Sequence, residues 1–313
     1  MMQWLRNRPR ADAALVYLVN AGATSFFFAL IFTVNLVYHA QTVGLNPLQL
    51  VLVGTVLEIS ALLFEIPTGV VADVISRRLS VLIGTFITGA AFIIEGAFPS
   101  FVTVLLAQVI WGLGATFISG ANDAWIADEV GVAQAEALYI RAAQVGNFAS
   151  LIGVGVSALL ATIALQVPIV LGGLLFIGLA FWLALAMPEQ GFQPRPTEER
   201  MNWRSFTGTF RDGVKLVRLR PVLLTILLVS AVYGLFTEGV DRLWTPHLLE
   251  IGLPPLGNLD PVLWWGLLSA GRSLLAIAAT EWLARGQRRS QQASTYVALS
   301  SYHHHTGVRL GGI

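Results

Sequence analysis

The sequence predicts an all-α fold, a polytopic membrane protein built as a helical bundle. Three observations predict it. Hydrophobic residues make up 55% of the 313 residues and charged residues only 12%, whereas a soluble domain carries about 25% charged residues. Two long stretches, 13–57 and 142–188, contain no Asp, Glu, Lys or Arg. The arginines are also sorted, falling in every second connection between apolar stretches. Each charge-free stretch is too long for one span of ~20 residues and suits two joined by a turn. Backbone amides in hydrocarbon must be satisfied within their own segment, so the spans are helices rather than open sheet.

Eight spans follow in order: 13–38, 49–71, 79–98, 101–125, 138–162, 166–187, 221–247 and 261–284. The basic start, Met1 to Arg10, precedes an apolar stretch too long for a signal peptide, so that stretch is the first span. Gly44-Leu45-Asn46-Pro47 breaks the first charge-free run and Gln166-Val167-Pro168 the second. Arg77 and Arg78 separate the second and third spans, and Arg141 opens the fifth. Residues 1–187 thus form a six-helix amino-terminal bundle. Residues 188–220 differ, with Pro188, Pro194 and Pro196, then Glu198 and Glu199, then a basic amphipathic stretch. There Trp203, Phe206, Phe210, Val214 and Val217 recur three and four apart, with Arg204, Arg211, Lys215 and Arg218 off the stripe. Such a helix lies among lipid headgroups as a cytoplasmic linker. Residues 221–289 hold two further spans. Residues 290–313 are polar and aperiodic and read as a disordered tail, with His303, His304 and His305 incidental rather than a metal site.

Orientation follows from the basic residues. Arg6, Arg8, Arg10, Arg77, Arg78, Arg141, the cluster from Arg195 to Arg220, and Arg285 to Arg289 all fall on one side. The four connections on the other side contain no Lys or Arg. Basic connections stay in the cytoplasm, which puts the amino terminus inside a multi-pass protein of the cell (plasma or inner) membrane. The net charge of +1 gives no reason to expect nucleic acid, and the absence of cysteine removes disulfides and thiolate metal sites. No Walker loop, His-Glu-x-x-His or Gly-x-Ser-x-Gly occurs, so neither an enzyme nor a bound cofactor is expected.

The turn after the second span reads Gly69-Val-Val-Ala-Asp73-Val-Ile-Ser76-Arg77-Arg78. It resembles the loop between helices two and three of the major facilitator superfamily: Gly, three residues, Asp, two residues, Gly, then two basic residues. Gly69, Asp73, Arg77 and Arg78 match, and Ser76 replaces the second glycine. The resemblance implies a secondary transporter with a complete six-helix first half and two helices of the second, this loop acting in gating. Asp73 with Arg77 and Glu281 with Arg285 form a faint internal repeat, as repeated halves require. In the fourth span, Gln108, Gly112 and Gly114 resemble the superfamily's Arg, three residues, Gly-x-Gly, with Gln108 in the place of an arginine associated with proton transfer. Ser119 to Asp128 and Phe236 to Leu249 are similar to efflux-type members. Gly146 to Gly155 resembles the antiporter pattern of helix five, without its proline.

Charges inside a bilayer cost a few kcal/mol each, which makes them functional candidates. Glu58 and Glu65 lie two turns apart on one side of the second span, Asp123 on the inner third of the fourth, and Arg272 at mid-depth in the eighth. These four are the transport and proton candidates, Asp123 being expected to pair with Arg141 or with the Arg77–Arg78 loop at an inner gate. On the seventh span Glu238 and Arg242 are four apart and can neutralise each other, leaving Asp241 as the extra charge. Phe26, Phe27, Phe28 and Phe32 could line a drug cavity or face lipid, and Asn20 and Asn35 need partners in hydrocarbon. The function expected is proton-coupled export of a small molecule or drug by alternating access, with substrate, protons and lipid as partners. The alternative is a truncated or frameshifted fragment that does not transport by itself.

Overall fold

Three breaks in the apolar sequence carry the capping chemistry that starts a helix. Asn46 Oδ1 accepts from Gln49 N (2.9 Å) while Gln49 Oε1 accepts from Asn46 N (3.0 Å), with Pro47 next in line. This reciprocal cap begins the second helix two residues earlier than the sequence reading placed it. Ser76 caps the third helix by accepting from Leu79 N (2.8 Å), and Ser100 the fourth by accepting from Thr103 N (3.2 Å). The computed structural model describes residues 12–194, 211, 215–216, 219–254, 261–275 and 278.

Among the described residues seven helices are long and apolar enough to span a membrane. They are α1 (Ala13–Thr42), α2 (Pro47–Val74), α3 (Arg77–Ala97), α4 (Phe101–Val130), α5 (Val132–Ala161), α6 (Gln166–Ala186) and α7 (Pro221–Ile251). No strand occurs among them. Residues 263–275 are also helical; the rest of the eighth expected span lies largely outside the described residues. So do most of the amphipathic stretch, the Glu281–Arg285 pair and the tail. Two units are distinguished, residues 1–267 and 268–313. In the second, Ser273 Oγ donates to Ser269 O (2.9 Å) and Arg272 is exposed.

Two helices are interrupted. α1 is α-helical to Phe32, resumes over Asn35–Val37, and ends in a π-helical turn, Tyr38–Thr42, closed by Val43 N donating to Tyr38 O (3.0 Å). α4 breaks after Ile118 and resumes at Ala121, with Gly120 at φ +69°, a conformation that suits glycine. Because the spans alternate, the start of α1, the α2–α3 and α4–α5 connections and the end of α6 share one end of the bundle, here the near end. The far end holds the other connections.

The six helices pair with an internal symmetry. α1 packs on α5 as α4 packs on α2, α1 meets α6 as α4 meets α3, and α3 crosses α6 between them. Exchanging the first three helices with the last three maps this scheme onto itself. Three spans are an odd number, so the second triplet runs inverted relative to the first.

Lipid is as apolar as leucine, so helices in a bilayer associate through close packing of small residues. Here a Cβ on Gly89 would lie 2.6 Å from Gly173 O, and one on Gly173 2.7 Å from Gly89 O. The motif glycines of α4 point two ways. A Cβ on Gly112 would meet Ser60 of α2 (2.8 Å), and one on Gly114 would meet Thr88 (2.7 Å) and Gly84 O (3.0 Å) of α3. The Gly-x-Gly pair therefore wedges α4 between its two neighbours. Gly146 and Gly153 serve α5 in the same way, against Ser25 and Phe26 of α1. Large apolar side chains face outward instead, Leu62 at 69% and Leu185 at 71% exposure, as suits hydrocarbon surroundings.

Candidate functional site

A polar cavity of 410 Å³ opens between α1, α4 and α5 in the near half of the bundle. Tyr17, Asn20, Asn122, Asp123 and Tyr139 supply its hydrogen-bonding groups, with Thr24, Ser25 and Thr85 further in. Tyr17 OH donates to Asp123 Oδ1 (2.8 Å), Asn20 Nδ2 to Asn122 Oδ1 (3.1 Å), and Tyr139 OH to Asp123 O (3.0 Å). The two tyrosine rings meet edge to face at 6.0 Å. The break at Gly120 restarts α4 so that Asn122 and Asp123 sit in its first turn. Asn20 thus has the partner that hydrocarbon requires.

Beside this cavity the loop motif is locked. Arg77 Nη1 donates to Asp128 at the end of α4 and to Ala124 O (2.6 Å). Its guanidinium also lies 6.0 Å from the centre of the Phe192 ring. The acid that meets Arg77 is therefore Asp128, five residues beyond Asp123, whose carboxylate is engaged by Tyr17 instead. Ser76 explains why a hydroxyl replaces the expected glycine. It caps α3 and also donates to Glu189 Oε2 (2.7 Å), which accepts Arg78 N through Oε1 (2.9 Å). Glu129 Oε1 accepts Gln190 N (2.5 Å) and Gly191 N (2.7 Å), and Trp125 Nε1 donates to Pro188 O (2.6 Å). The chain leaving α6 is thereby strapped across the ends of α3 and α4. Asp73 is half-buried in the last turn of α2, and Gly69 has open space where a side chain would stand.

Removing the Arg77–Asp128 contact should cost about 1.5–3 kcal/mol, the range for a hydrogen bond to a charged group. Arg77→Ala and Asp128→Asn should each lower the unfolding temperature in detergent, and the double variant should be no worse than the poorer single one. Additive losses would show that the two side chains act independently.

At the far end lies a second polar cluster, which the sequence reading overlooked. Glu95, in the last turn of α3, is fully buried. Its Oε1 accepts from Asn35 Nδ2 (2.5 Å) and contacts His39 Nε2 (2.9 Å); its Oε2 accepts from Gln108 Nε2 (2.9 Å). Tyr38 OH donates to Glu95 O (2.7 Å). Gln108, standing where the family pattern has arginine, is thus a ligand of a carboxylate. One signal could have found this site: Glu95 is the sole charged residue between Arg78 and Asp123.

The other candidates stand apart. Glu58 and Glu65 are exposed on α2, on a face the neighbouring helices leave open. Arg242 Nε donates to Glu238 Oε1 (2.9 Å), and this pair rests on Gly54 of α2, where a Cβ would strike both side chains. Asp241 is exposed. The phenylalanines of α1 pack with other rings. Phe28 meets Phe176 at 4.8 Å and Phe32 meets Trp111 at 5.2 Å, with Phe92 in the same aromatic cluster. Among the described residues no group of three or more metal-ligating side chains occurs.

Outward-facing apolar helices, an inverted triplet repeat and a polar cavity beside a charged latch define a polytopic membrane protein built as an inverted-repeat helical bundle. The chain belongs to the Major Facilitator Superfamily, whose family model matches residues 14–300. It is 23% identical over 205 residues to the uncharacterized MFS-type transporter YxaM of Bacillus subtilis (strain 168), covering 66% of this chain and 51% of that protein. The chain thus spans about half the length of this curated relative. The fold is shared with nucleoside transporter NupG, at a TM-score of 0.69 and 13% identity over 88% of this chain and 68% of that one. It is shared too with a bacterial homolog of the human lysosomal transporter Spinster, solved inward-facing and unoccupied. That match has a TM-score of 0.62 and 18% identity, covering 86% of this chain and 60% of that one.

Proposed function

We propose that this protein is a secondary active transporter that exports a small molecule or drug in exchange for protons, rocking between inward- and outward-open states. The near end is cytoplasmic in this reading, as the sorted basic residues require, and the membrane is the cell membrane. The observation that carries it is the cavity at Tyr17, Asn20, Asn122 and Asp123, which combines amides, hydroxyls and one carboxylate inside an apolar bundle. Such a lining suits a solute bearing a cationic or donor-rich group. Glu58, Glu65 and Arg272 are the further candidates for proton or solute contact, and the Gly69–Arg78 loop with Asp128 is the gate on the cytoplasmic side.

The test is uptake of a cationic dye such as ethidium into everted vesicles made acidic inside. Uptake that a protonophore collapses supports the reading, and dye levels equal to empty vesicles sink it. The latter is also the result expected of a fragment that does not transport by itself. Asp123→Asn and Glu58→Gln should each lower proton-driven uptake at least about ten-fold, roughly 1.4 kcal/mol or more of lost coupling. Unchanged uptake would remove that residue from the mechanism.

A further inference from the structure

Glu95 poses a charge problem that α2, α3, α4 and α6 do not solve. It has no exposed surface, and burying an unpaired carboxylate is expensive. α1 from Ala13, α2, α3 beyond Arg78, α4 and α6 contain no Lys or Arg. Of the side chains on these elements, only His39 can carry a compensating positive charge. α1 also presents Tyr38 to Glu95, through its backbone oxygen; α4 presents the neutral Gln108; α6 presents Ile169 and Val170 beside Gly96.

The hydrogen bonds fix where a proton would go. Asn35 Nδ2, Gln108 Nε2 and His39 Nε2 all face Glu95 oxygens, which assigns His39 the tautomer with its proton on Nε2. Glu95 then accepts three N–H groups as a carboxylate. Two buried polar atoms in the same cluster have no partner, His39 Nδ1 and Gln108 Oε1. The first is a free lone pair on the cluster's imidazole, a side chain that can take up a proton there. His39 also lies on the π-helical turn Tyr38–Thr42 that ends α1.

We infer that the His39–Glu95 pair, held by Asn35 and Gln108, is a proton-binding site of this protein. One proton from water forms a bond to His39 Nδ1, turning a cluster of charge −1 into a neutral imidazolium–carboxylate pair. Its departure restores the lone buried charge. The inference rests on the proton-coupled reading above and supplies it with a specific site, remote from the Asp123 cavity.

The test is ring nitrogen-15 NMR of histidine in the full chain reconstituted in liposomes. His247, His303, His304 and His305 are changed to Gln so that His39 alone reports. As the buffer is acidified over the range in which the chain stays folded, the imidazole should pass from the Nε2-protonated neutral form to imidazolium. Glu95→Gln should hold it neutral throughout, and Glu95→Asp should restore the titration. One protonation state over the whole range overturns the proposal, as does a Glu95→Gln titration matching the parent. A measurement on the parent needs no variant at Glu95: a dipolar contact between imidazole Nε2 and a glutamate carboxyl carbon should persist in both states, and its absence also overturns the proposal. None of these spectra needs solute or a pH gradient. A failed titration removes this site and leaves the transport reading standing; a clean titration without proton-driven flux removes the transport reading alone.

Discussion

Glu95→Ala should be the most destabilising single substitution in the six-helix bundle, at about 3–5 kcal/mol, the range for breaking a buried charged network by removing one partner. The N–H donors Asn35 and Gln108 would lose their acceptor, and His39 the carboxylate it contacts, in a buried setting. These donors come from two helices, so the seam of α1, α3 and α4 at the far end would loosen together. Glu95→Gln keeps one carbonyl oxygen but turns an amide N–H₂ toward donors, and should fall between the two. Thermal unfolding in detergent measures this directly. A midpoint for Glu95→Ala within a degree or two of the parent would mean that the network contributes nothing to stability.

The next largest effect concerns a glycine. Gly89→Ala places a Cβ 2.6 Å from the carbonyl oxygen of Gly173 and 2.8 Å from the Ile177 side chain. The main obstacle is backbone, which cannot swing aside, so α3 and α6 must separate along their whole crossing. Overpacking of this kind costs about 1–3 kcal/mol. Gly178, on the same helix as Gly173, provides the opposite case. Its Cβ position is open, so Gly178→Ala should gain up to about 1 kcal/mol from helix propensity alone. The two changes should shift the unfolding midpoint in opposite directions. A shared sign would show that the close approach of α3 and α6 is not what makes Gly89 irreplaceable.

The spans themselves are legible because charge-free length and turn chemistry are local properties of the chain. Asn46-Pro47 marks the start of α2 and Gln49 completes the cap three residues on. The Glu238–Arg242 pair is legible for the same reason, since four residues in a helix bring two side chains to one face. What the sequence hides is set by tertiary packing. His39 and Glu95 are 56 residues apart, and no spacing rule connects them. Asp128 and Asp123 are both acids on the near-end part of α4, and only the helix rotation after the Gly120 break decides which of them Arg77 reaches. Ser76 looks like a departure from the family pattern, yet it is the cap of α3 and a ligand of Glu189. The ring contacts of Phe28 and Phe32 are hidden likewise, because their partners Phe92, Trp111 and Phe176 lie on three other helices.

The strap from Pro188 to Phe192 changes how the connection to α7 should be measured. Its backbone is moored by Trp125 and Glu129, its Glu189 side chain holds Ser76 and Arg78, and a Cβ on Gly191 would strike the Asp128 carbonyl. The connection is therefore held to the bundle as far as Phe192 and not only to the end of α6, six further residues that span roughly 20 Å at ~3.5 Å per residue. An insertion within 187–192 slips that mooring.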